Sequence, residues 1–241
     1  MSKVRFKARF KNEKYSNQIP KIQRQFEARV NGETNTTELI IYGVIGDGYE
    51  DGISAIEVDA ALAQVQTENI LVRINSPGGD AFEGITIYNR LKDHKAYVKV
   101  IVDGWACSAA SIIAMAADQL IMNKGALFMV HEGITIIWGN KAALLAEYEV
   151  LKKLDASLVD IYMTKAQVSR EEMETLLVNE TWFTAEEAMT IGFATSADET
   201  PHPQPADPEA FKNSVLAKLR KSAPTNQQSN FMDKFKRGQQ S

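Results

Sequence analysis

Along this chain the apolar positions change period several times. Glu38–Ile45 (ELIIYGVI) and Ile70–Ile74 (ILVRI) are short apolar runs rich in β-branched residues, and between them Ser54–Gln66 repeats at helical spacing. That order predicts strand, helix, strand. A second cycle follows, with a helix over Ala81–Lys92, a strand over Val98–Val102, a helix over Ser108–Ala117, and strands over Gln119–Met122 and Leu127–His131. Strands that alternate with helices imply a parallel sheet, because a parallel pair needs a crossover between its strands. A longer amphipathic helix, about Lys141–Ala166, breaks the rhythm. Ser169-x-x-Glu172 and Thr184-x-x-Glu187 then have the form of capping boxes and mark two further helix starts. No repeat of fixed period is present.

Both ends depart from this pattern. Residues 1–30 carry nine Lys/Arg against Glu13 and Glu27, a basic N-terminal arm expected to be a solvated extension rather than a docking segment. Five of the seven prolines lie beyond residue 200 and are followed by a Gln/Ser/Asn-rich run. Such composition cannot bury enough surface to fold alone, so residues 200–241 are read as a linker and tail with a short helix at 208–221. Residues 31–199 are left as the folded domain.

Composition narrows the class. With 241 residues, 44% of them apolar, the chain is long enough for one sizeable core. Its single cysteine, Cys107, cannot form an internal bridge or anchor a thiolate zinc site. No stretch approaches the roughly 18 apolar residues of a membrane span, and no apolar leader is visible, so a cytoplasmic protein is expected. A net charge of −4 gives no global attraction to nucleic acid or anionic lipid.

Several chemistries have no motif here: there is no phosphate-binding loop, no His-Glu-x-x-His and no Gly-x-Ser-x-Gly elbow. Gly46-Asp-Gly48 is read as a turn. Ile74-Asn-Ser-Pro-Gly-Gly79 follows a strand and opens a helix, where backbone N–H groups can face a developing anion; a plain tight turn would have the same residues. Gly104-Trp-Ala-Cys-Ser108-Ala-Ala-Ser111 places Ser108 between a strand and an apolar helix, as a nucleophile or merely as an N-cap. A serine needs a base to take its proton. Of the three histidines, His94 lies in a polar turn and His202 in the proline-rich tail, while His131 ends an apolar strand. Cys107 is read as a small buried apolar group rather than a rival nucleophile.

INSPGG at 74–79, Gly104-x-Ala106-x-Ser108 and Met129-Val130-His131, in that order, resemble the proteolytic subunit of the ATP-dependent Clp protease, and the likeness runs from about residue 37 to 195. The resemblance implies an α/β fold of the crotonase-like (ClpP-like) kind, with stacked β-β-α units and a protruding strand–helix handle. It also implies a serine endopeptidase, free of metal and organic cofactor, that acts on polypeptides inside a homo-oligomeric ring or double ring. By the same resemblance Ser108 is the nucleophile, His131 the general base, and Gly79 and Ala109 the oxyanion-hole donors. The family's aspartate falls on Glu180 within Glu180-Thr-Trp-Phe-Thr-Ala185, with Asn179 as a substitute.

Other departures bear on partners. Nothing in Met1–Arg29 resembles the axial segment of ring subunits that serve an ATPase, which argues against an ATPase unfoldase partner. The basic arm and Pro/Gln-rich tail look more like the Clp-like proteases of bacteriophages and prophages, which act in head maturation on capsid and scaffold proteins. Gly133–Gly139 (GITIIWG) matches the handle through which two rings meet; Ile134, Ile136, Ile137 and Trp138 would expose an apolar strip. The rival readings are a catalytically weak Clp-like scaffold or assembly protein, and a crotonase-like enzyme acting on acyl-thioesters, which the Ser108–His131 pair disfavours.

Overall fold

In the computed structural model, which describes residues 23–49, 51–197 and 208–222, the alternating first half of the chain becomes a mixed sheet. β1 (Gln25–Asn31) and β2 (Thr36–Tyr42) pair antiparallel, so the end of the basic segment forms an edge strand. Residues 1–22 of the basic arm lie outside the described residues, as do most of the expected tail, 201–207 and 223–241, and His202 with it. β3 (Asn69–Ser76) runs parallel to β2, and β4 (Tyr97–Cys107) parallel to β3. β4 is long enough for two further parallel partners: Lys99–Val102 pairs with β5 (Gln119–Met122), and Trp105–Cys107 with β6 (Leu127–Val130). β7 (Thr181–Thr184) adds antiparallel to β6, and β8 (Ser196–Ala197) parallel to β5.

Burial explains why these segments are strands. In β3, Ile70, Val72, Ile74 and Ser76 are buried and the residues between them half-buried, the two-residue period of a sheet with one covered face. The crossover helices α1 (Ala55–Leu62), α2 (Ala81–Lys92) and α3 (Ala109–Ala114) contribute Val58, Leu62, Ile87, Leu91, Ile112 and Ile113 to the same core. Ser54 opens α1 with a reciprocal capping box to Glu57, a third box of the kind read at Thr184, where both arms also form. Ser169 accepts the Glu172 N–H at 3.1 Å and opens α5 (Arg170–Val178); Thr184 opens α6 (Ala185–Thr190).

Several boundaries differ from the sequence reading, among them the helix expected over Ser108–Ala117, which spans only Ala109–Ala114. β2 stops at Tyr42 because Gly43 turns to φ +121°, leaving Ile45 as an isolated bridge. The helix expected to reach Gln66 ends at Leu62. β4 continues five residues past Val102, held there by β6, and delivers the chain to Ser108.

The long helix α4 (Lys141–Met163) and the tail helix α7 (Pro208–Ser222) are close to their expected spans. Phe193 meets Phe128 of β6, Tyr162 of α4 and Phe183 of β7 with ring centroids 5.3, 5.5 and 5.6 Å away, which locks β6 and β7 beneath α4. Residues 133–140 hold no strand, only one bridge residue at Thr135. Trp138 is 100% exposed and Ile136 76%, and the apolar strip continues onto α4 through Leu144, Leu145 and Tyr148.

Candidate active site

Ser108 sits where β4 turns sharply into α3. Its backbone takes φ +55° and ψ −124°, a region that ordinary side chains avoid at a cost of about 1–3 kcal/mol. The surroundings impose this turn. The Ser108 N–H donates to Met129 O of β6 at 3.0 Å, while its carbonyl accepts the Ser111 hydroxyl at 2.6 Å and the Ile112 N–H at 3.2 Å. With its proton given to Ser108 O, the Ser111 oxygen receives the Tyr162 hydroxyl at 2.7 Å, so α4 also supports the turn. Burial raises the pKa of that phenol and keeps it protonated.

The Ser108 side chain makes no capping bond to α3, so the N-cap role open to it in the sequence is not used. Its Oγ lies 2.8 Å from Nε2 of His131, the residue directly after β6. The β4–β6 pairing that receives the Ser108 N–H thus also delivers the imidazole. His131 is 8% exposed. His94 is elsewhere, with Nδ1 accepting the Ala96 N–H at 3.1 Å. Cys107 is buried beside Ser108, and burial raises its thiol pKa far enough to keep it protonated.

The glycine turn abuts this pair. A side chain at Gly78 would place its Cβ 2.4 Å from Cys107 O and 2.8 Å from Ser108 Cβ, so only hydrogen fits. The Ser76 hydroxyl accepts the Gly78 N–H at 3.1 Å. Ile45 donates to Gly78 O and accepts from the Asp80 N–H, both at 2.9 Å, and this pattern turns the intervening Gly79 N–H away from Ile45. Ala109 opens α3, where a backbone N–H has no helical acceptor. Among the described residues neither the Gly79 nor the Ala109 N–H donates a hydrogen bond within the chain. Both residues line an open cleft together with Ser108 and His131.

Glu180 follows Asn179, the C-cap of α5, and precedes β7. Its φ is +49° and its N–H donates to Leu177 O at 3.0 Å. The antiparallel register of β6 and β7 ends with Val130 opposite Thr181, so His131 and Glu180 are the residues that flank its last pair.

Sequence reasoning missed the supports: Ser76, Ser111, Tyr162 and the acidic pair Glu132 and Asp155. Asp155 of α4 accepts the Gly133 N–H at 2.7 Å, fastening the segment that follows His131. Burial raises the pKa of both carboxyls, and Asp155 raises that of Glu132 further. Only Ser111 carried a local signal, three residues after Ser108 on a helix. Among the described residues no group of three or more His, Cys, Asp or Glu could hold a metal ion, and no helix is long and apolar enough to cross a membrane.

Comparison with known proteins agrees with this architecture. The family model described as Clp protease matches residues 18–199. The ATP-dependent Clp protease proteolytic subunit of Deinococcus radiodurans is 30% identical over 132 residues, which cover 54% of this chain and 65% of that protein. Subunit 1 of the same protease from Chlamydia muridarum is 30% identical over 128 residues, covering 51% of this chain and 66% of the relative. The matched segments thus span just under two thirds of these relatives. A solved ClpP1 mutant from Listeria monocytogenes superimposes with a TM-score of 0.59 at 23% identity, covering 70% of this chain and 93% of that one, a likeness of fold.

Proposed function

Because the chain belongs to the Clp protease family, we propose that it is a serine endopeptidase in which Ser108, His131 and Glu180 form the catalytic triad. The observation that carries this reading is the 2.8 Å contact of Ser108 Oγ with His131 Nε2, made by a serine on a strained turn whose side chain caps nothing. In the acylation step Oγ adds to the peptide carbonyl carbon while its proton passes to Nε2. The Gly79 and Ala109 N–H groups, free of internal acceptors, donate to the oxyanion. The C–N bond then breaks as His131 returns the proton to the leaving amine, and water repeats the sequence on the acyl-enzyme. Glu180 orients and charge-stabilises the imidazole from its cross-strand position; its helix-to-strand turn at φ +49° sets the backbone from which the longer side chain approaches.

The substrates in this reading are unfolded or small polypeptides, and capsid or scaffold proteins form the second class, on the composition of the two ends. Assembly into rings through the 133–140 segment is supported by the bare strip of Ile136, Trp138, Leu145 and Tyr148. Purified wild type, Ser108→Ala and Glu180→Gln test the reading by cleavage of a labelled unfolded protein, with a fluorophosphonate probe and oligomer size in parallel. Ser108→Ala abolishes labelling and cleavage with assembly retained. Glu180→Gln lowers kcat by about 10⁴-fold, the scale of neutralising a triad acid. Wild-type protein that assembles but neither labels nor cleaves would leave the scaffold reading in its place.

A further inference from the structure

The cleft beside Ser108 has a feature that the Ser–His pair does not use. Its walls are apolar, formed by Ile112, Ile134 and Leu158, yet the carboxylate residue Glu132 also lines it. Glu132 directly follows His131, and Asp155 is bonded at 2.7 Å to the N–H of Gly133, the next residue along. Among the described residues neither acid pairs with a lysine or arginine. Two neighbouring carboxylates at an apolar trough, with no cation of their own, fit a ligand that has a hydrocarbon stem and a positive end.

We propose that this cleft receives a lysine or arginine side chain from the residue preceding the scissile bond, its stem along Ile112, Ile134 and Leu158 and its cationic head at Glu132. The inference rests on the peptidase reading and adds the side-chain class that it leaves open. Asp155 acts behind Glu132: it fastens the Gly133 backbone and adds to the negative potential at the head-group position. A neutral isostere such as norleucine fills the trough but gains no attraction from the two carboxylates.

Fluorogenic peptides that differ only in the residue before the cut, carrying lysine, arginine, norleucine or glutamate, test this on the full-length protein, with fluorophosphonate labelling of Ser108 as the independent readout. Wild type cleaves the lysine and arginine peptides with kcat/KM about tenfold above norleucine, and glutamate ranks last. Glu132→Gln brings the lysine-to-norleucine ratio close to one, and Glu132→Lys moves the preference toward glutamate. Asp155→Asn, which keeps an acceptor for Gly133, lowers the ratio less. A labelled, active wild type with a lysine-to-norleucine ratio of one or below overturns the specificity while leaving the peptidase reading intact. No labelling and no cleavage of any peptide overturns both.

Discussion

The turn at Ser108 and the segment at 133–140 are neighbours along one wall of the molecule, and they are built in opposite ways. At Ser108 the backbone is bonded to β6, to Ser111 and to Ile112, with Tyr162 behind, and the residues around it are buried. At 133–140 the side chains of Ile136 and Trp138 stand in solvent, and the segment is tied to α4 at a few points, among them Gly133 to Asp155. A strained, over-bonded turn fixes reacting atoms, and fixation is what a nucleophile and its base require. An apolar segment bare in the single chain is instead what the proposed contact between copies would need.

The largest effects should separate the two regions cleanly. Phe193→Ala removes the ring that joins Phe128, Tyr162 and Phe183, and should cost about 3–5 kcal/mol in chemical denaturation, because it empties the core under β6 and β7. Replacing Ile136 and Trp138 together by serine should leave that stability almost unchanged while shifting the oligomer to smaller species on sedimentation. Equal losses of stability from both changes would erase the contrast.

A sharper test addresses the strain itself. Ser108→Gly and Ser108→Ala remove the same hydroxyl and the same contact with His131, so their difference isolates the backbone at φ +55°. The glycine variant should be the more stable by about 1 kcal/mol, since a Cβ is what makes that conformation costly. An alanine variant equal or superior to glycine would mean that the turn stores no strain.

How much of this was legible in the sequence depends on how local each signal is. Ser108 and His131 could be read because one opens an apolar, small-residue helix and the other ends an apolar strand, and the family likeness implied their roles. The extension of β4 to Cys107 could not, since Asp103, Gly104 and Trp105 interrupt the apolar alternation and the strand is completed by pairing with β6, itself distant in sequence. Asp155 and Tyr162 lie on one long helix whose periodicity fixes a buried face but not what that face meets. That Glu180 and His131 flank the last β6–β7 pair is a matter of strand register, which a four-residue strand such as β7 does not declare.

The smallest expected effect concerns the acids between the two regions. Burial raises both carboxyl pKa values, with Asp155 adding to the rise at Glu132, while His131 is the neighbouring titratable group on the same segment. In the pH range between the ordinary carboxylate values, near pH 4, and the raised folded-state values, the folded chain holds protons that the unfolded chain has released. Stability from this source is therefore full below the ordinary values and is lost as pH rises through the raised ones. At neutral pH the pair is a burden. Glu132→Gln should melt higher than wild type at pH 7 at equal protein concentration, by less than about 4 °C because water still reaches and screens this partly buried acid. The gap should close on acidification below pH 4, the rough limit of the ordinary carboxylate range. A variant that melts lower at pH 7 would mean that Glu132 has a cationic partner after all, and the cleft would then be closed to the positive head group proposed for it.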